Sequence, residues 1–97
     1  MKSCLHLLCA PAQDALAACI AHGAEGDCIV FLDAGVLQLF RNELAALSGH
    51  GWSLRFLAAD LQAHGLLQSA QDLAFDVIED AEFATLLPQY DHCLSWK

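Results

Sequence analysis

Positive charge is what this sequence most lacks. Its 97 residues include only four basic side chains, Lys2, Arg41, Arg55 and Lys97, against twelve acidic ones, a formal charge of −8. Nucleic-acid binding rests on clustered Lys and Arg that release counterions from phosphates, so four scattered cations exclude a direct RNA or DNA surface. No glycine-rich loop with a trailing lysine follows a strand, and neither a GxSxG nor an HExxH pattern occurs. Nucleotide-phosphate, serine-hydrolase and zincin chemistry are therefore not indicated, and no cofactor is called for. The GAEG at residues 23–26 precedes a strand instead of following one, the wrong context for a phosphate cradle. The five cysteines include no CxxC pair and, being odd in number, make no even disulfide framework. Reduced thiols packed as small hydrophobes, in a cytoplasmic protein, are the expectation. No apolar run reaches the roughly 18 residues of a membrane span, because Gln13, Asp14, Asp27 and Asp33 break the longest stretches.

The N-terminal MKSCLHLLCAPA imitates a signal peptide, and the LAAC at residues 16–19 imitates the box before a lipidated cysteine. His6 inside the apolar run, and Gln13 and Asp14 just after it, argue against both. Cleavage would also remove the best first strand. A lipidated envelope protein remains only as a rival reading.

What is present is apolar side chain: 57 % of residues are hydrophobic. A chain this short makes one domain, residues 1–97, and cannot bury so much apolar surface within itself; it reads as a subunit. The pattern predicts strands at residues 3–9 and 28–32, with a helix between them opened by Pro11 and Asp14 and closed by Gly23. A second helix is expected over residues 36–47, a third strand over 52–57, and a short helical turn over 60–64. A weak extended piece at 74–78, a helix over 80–87 and a final strand or tail over 91–97 complete the chain. Alternating strands and helices imply a small three-layer α/β domain, a mainly parallel sheet flanked by helices on both faces. Sites in such sheets form beyond the carboxyl ends of the strands, here around Cys9, Asp33 and Asp60.

Metal ligands are available in Cys4, His6, Cys9, His22, His64, His92 and Cys93, but without the close pairs of a structural zinc site; they read as scattered donors, and no metal is expected. Asp33 at a strand end reads as the start of a turn. Among the thiols, Cys4, Cys9 and Cys28 lie in or at the ends of apolar strands and are expected to be buried and inert. Cys93 is expected to be exposed. Cys19 sits mid-helix with His22 one turn later on the same face, a candidate thiolate with a candidate stabiliser. Against that, it lies in the C-terminal half of its helix, where the backbone dipole opposes negative charge. Packing and sulfur carriage both stand as readings of Cys19.

Several features in order carry a resemblance: Leu5-His6 and Pro11; Cys19 followed by Glu25-Gly26-Asp27; a strand ending in Asp33; Asp60-Leu61 before Gly65-Leu66; Phe83 with Leu86; and Ser95-Trp96. Together, over nearly the whole chain, they resemble the DsrH/TusB family of bacterial sulfur-relay subunits. The resemblance implies a small parallel α/β fold in a heterohexamer with homologous DsrE/TusD-type and DsrF/TusC-type subunits. It implies persulfide relay between an upstream donor and a downstream acceptor, toward 2-thiouridine at the tRNA wobble position or through cytoplasmic sulfur oxidation. Cys19 matches the cysteine that some members carry and that is proposed to bear sulfur. The sequence departs from the family pattern at Asp33-Ala34-Gly35-Val36, which has one residue inserted, at His64 in place of an arginine, and at Ile78-Glu79-Asp80.

Overall fold

A computed structural model describes residues 4–97. Its core element is β2 (Cys28–Phe31), whose four residues, CIVF, are all buried. A strand hidden on both faces has no use for alternation, which is why this run is continuously apolar. β1 (Cys4–Leu8) lies on one side of it and β3 (Ser53–Leu57) on the other. β4 (Asp76–Ile78) and β5 (His92–Trp96) form the edges. The order is β4-β3-β2-β1-β5 and every pairing is parallel, so the chain is an α/β domain as its pattern predicts. The first predicted strand begins at Ser3, which lies outside the described residues.

Helices α1 (Gln13–His22), α2 (Glu43–Gly49), α3 (Ala58–Ala63) and α4 (Leu67–Asp72) join the strands, together with a 3-10 segment over Asp33–Phe40. α5 (Asp80–Leu86) runs into a second 3-10 turn at Leu87–Gln89 and leads to β5. The helical layers are unequal. One face of the sheet buries Leu16, Cys19, Val36, Leu39, Leu44 and Leu61, drawn from four successive helical pieces. The other face, around Leu5, Cys28, Val30 and Ile78, is covered by α5 through Leu86 and Phe83, with Tyr90 beside them. α5 starts on a capping box in which Glu79 and Glu82 each accept from the other's backbone.

The helix expected over residues 36–47 is instead two pieces, the 3-10 segment and α2, parted at Arg41 and Asn42. The segment begins tight: a Cβ on Gly35 would stand 1.9 Å from the Leu8 carbonyl oxygen, so only glycine lets the chain pass this close to β1. Gln38, fully buried, then donates to the carbonyls of Ala10 and Ala12 and accepts from Arg41, tying the segment to the β1–α1 loop. α4 has no counterpart among the sequence expectations.

Candidate functional site

α1 lays Leu16 and Cys19 against the sheet. Cys19 is fully buried in the larger core cluster. Burial above all, then the charges of Cys4 and Asp27, push its thiol up to about 12, so it stays neutral at any physiological pH. His22 is exposed in the last turn of α1 and sets its ring edge-on to Trp96, with centroids 5.6 Å apart. The structure therefore gives His22 an aromatic partner and shows Cys19 filling core space in the isolated chain.

Of the other thiols, Cys28 is fully buried, and burial raises its pKa even though Tyr90 and Arg55 beside it act in the opposite direction. Cys4 and Cys9 are only partly buried, contrary to the expectation for inert strand cysteines, and Cys93 on β5 is exposed. Neither partly buried thiol is activated by its setting. Desolvation and the Asp27 charge raise Cys4. Desolvation and the charges of Asp33 and Asp60 raise Cys9, with Lys97 acting the other way. The carboxyl ends of β1, β2 and β3 do come together: the Asp33 amide, at a φ of 55°, donates to Asp60 Oδ2 at 2.7 Å. Two carboxylates beside a thiol disfavour the thiolate.

The most organised polar cluster lies on the α1 face of the sheet. His6, fully buried on β1, has Nε2 2.8 Å from Asp27 Oδ2, and Trp96 Nε1–H donates to its Nδ1 at 3.0 Å. An indole N–H can only donate, so Nδ1 must accept and Nε2 carries the ring proton. Asp27 also accepts from the amides of Ala24 (3.0 Å) and Cys4 (3.1 Å). Burial alone would raise its pKa. The His6 hydrogen bond and the two amides outweigh that and hold it below the usual carboxylate value. Gly23 makes room, since a Cβ there would stand 2.3 Å from the Trp52 ring and 2.9 Å from both His6 Nε2 and Asp27 Oδ2.

Ligand atoms of Cys4, His6 and Asp27 lie within 4.8 Å of one another, and Cys9, His22, His64, His92 and Cys93 do not join them. An S, N, O set of this kind fits a metal in type but not in protonation. Metal binding through Nε2 would move the ring proton to Nδ1, against the Trp96 N–H, whereas metal-bound imidazoles give that proton to an acceptor. The same occupancy denies Cys4 a basic nitrogen. The cluster is a structural clasp between β1, the start of β2 and β5. His6, Asp27 and Trp96 each belong to the resembling features, but sequence spacing did not join them. The available signal was a histidine inside an otherwise apolar strand.

An open groove of about 480 Å³ runs past Leu39, Phe40, Leu44, Leu73 and Phe75. None of the cysteines lines it, so it is separate from any thiol chemistry. Among the described residues no helix is long and apolar enough to cross a membrane.

The fold and the thiol inventory define a small parallel α/β protein with a buried helical cysteine. A family model described as "DsrH like protein" matches residues 10–93. The chain belongs to the DsrH family, and so to the sulfur-relay subunits. No curated protein matches it.

Proposed function

We propose that this chain is a subunit of a heterohexameric persulfide-relay complex, assembled with DsrE/TusD-type and DsrF/TusC-type subunits and serving 2-thiouridine formation at the tRNA wobble position. The family match over residues 10–93 carries the reading. The charge of −8 supports it, since such a subunit leaves the tRNA to another chain. A relay step of this kind needs a thiolate to take the terminal sulfur of a donor persulfide, the donor leaving as a thiol. Cys19 can do this only if α1 lifts from the sheet. Its burial favours a second reading, a structural subunit with no sulfur chemistry of its own.

Intact mass after exposure to a persulfide-loaded sulfurtransferase separates the two, for wild type and Cys19→Ser, each alone and with both partner subunits. A gain of sulfur in wild type that Cys19→Ser lacks makes Cys19 a carrier. No gain in either setting makes the chain a scaffold. Loss of tRNA 2-thiouridine on deletion of the gene is the expected outcome for the pathway. Unchanged 2-thiouridine with impaired oxidation of stored sulfur would replace it with the oxidative branch.

A further inference from the structure

The two edges of the sheet are protected unequally. β4 has three residues, and its exposed Asp76 is paired with Arg55 of β3. β5 has five, His92-Cys93-Leu94-Ser95-Trp96, with no charged residue or proline inside it. Natural edges are blunted by shortness, charge or proline, and β5 uses none of these. The Cys9 amide donates to the Trp96 carbonyl at 2.9 Å. Backbone groups alternate along a strand, so His92, Leu94 and Trp96 turn theirs toward β1. Cys93 and Ser95, both exposed, turn theirs to the open edge.

We infer that β5 is the contact surface for a second copy of this chain, the two strands pairing antiparallel about a two-fold axis at Leu94. The register follows from two conditions. Hydrogen bonds across the edge require edge-facing residues to stand opposite edge-facing residues, which excludes every odd offset. Among the even registers, the one centred on Leu94 sets Cys93 opposite Ser95 of the second copy and Asp91 opposite its Lys97. The two-fold repeats each pair, so the charges flanking β5 become two complementary ion pairs. Shifting the centre to Cys93 or Ser95 loses both. Leu94, half-buried in the single chain, meets its symmetry mate at the non-hydrogen-bonded position, where Cα atoms approach to about 4.5 Å. The result is a ten-stranded sheet continuous across the two copies.

The test starts with Leu94→Cys in a Cys93→Ser background, exposed to oxidised glutathione, which is reduced to two thiols as one protein disulfide forms. A covalent dimer linked through position 94 is expected. His92→Cys in the same background should not link to itself, because Trp96 stands opposite. In solution, sedimentation of the wild-type chain over a concentration series should show dimer, with amide protection of Cys93 and Ser95 rising in step. Ser95→Pro removes only an edge-facing N–H, a substitution that edge strands tolerate, and should give a folded monomer. Asp91→Lys should weaken association about tenfold by turning two exposed ion pairs into repulsions, and Asp91→Lys with Lys97→Asp should restore it. A monomer at every concentration overturns the proposal. So does equal linking from positions 92 and 94, or a Leu94→Cys chain that links only to a co-expressed homologous subunit.

Discussion

Asp27 keeps its charge at a position only 5 % exposed because three donors converge on it. Asp27→Ala would leave the His6 ring N–H and two amides without partners, and a loss of about 3 kcal/mol in urea unfolding is expected. The pH dependence follows from the direction of its shift. The folded carboxyl lies below its ordinary value, so its contribution is present at neutral pH. It fades as pH falls through about 4, where the unfolded chain takes up its proton first, and is gone below the folded value. Asp27→Asn should flatten this acid limb. Cys19 acts at the other end: its thiol is raised from 9.0 to about 12, so its contribution is complete below 9 and drains away as pH rises toward the folded value. Cys19→Ala should show a smaller loss of stability between neutral and strongly alkaline pH than wild type. In the native chain iodoacetamide should modify Cys93 first, Cys4 and Cys9 more slowly, and Cys19 and Cys28 only at the rate of unfolding. The sequence already suggested the exposed Cys93 and the buried Cys28. The His6–Asp27–Trp96 clasp was not legible, because hydrogen bonding across 90 positions in the chain leaves no local spacing to read.

Elements whose signal is local are legible in the sequence. β1, β2 and β3 appear as apolar runs bounded by turns, and α1, α5 and β5 fall within a residue or two of their expected bounds. The failures are where tertiary contact overrides pattern. Apolar recurrence over residues 36–47 suggests one helix, but the close approach of Gly35 to Leu8 and the buried Gln38 hold the first part as a 3-10 segment. Gly35→Ala should therefore cost about 3 kcal/mol or more, since the obstacle is backbone that cannot rotate away. α4 carries no periodic signal, because LQSAQD has one strongly apolar residue; it is held by Ala70 in the core and by a left-handed end. Ala74, at a φ of 60°, closes α4 where glycine is the usual residue, and the Phe75 amide reaches back to the Ala70 carbonyl. Ala74→Gly should raise stability by about 1 kcal/mol, read as a higher urea midpoint.

Over the whole molecule, alternation of strands and helices correctly implied a parallel sheet, but not how thin its second layer would be. Five strands span about 20 Å, and a single helix such as α5 is only about 10 Å wide, so Leu7, Leu32, Phe83 and Tyr90 stay only partly buried. Local patterns mark each helix as amphipathic without saying which face it will cover, and three of the four crossovers use the same side. The strand order also joins the fourth crossover's product, β5, to β1, so the clasp is assembled from opposite ends of the sequence. A chain stopped after Gln89 should lose its near-UV circular dichroism and bind the dye ANS. Protein synthesis gives this arrangement a direction in time. The ribosome makes His6 and Asp27 early and Trp96 after all the other strands, at about 5–20 residues per second. For some seconds the growing chain carries a first strand paired on one side only, its outer edge open and its histidine without the indole N–H that will donate to it in the clasp.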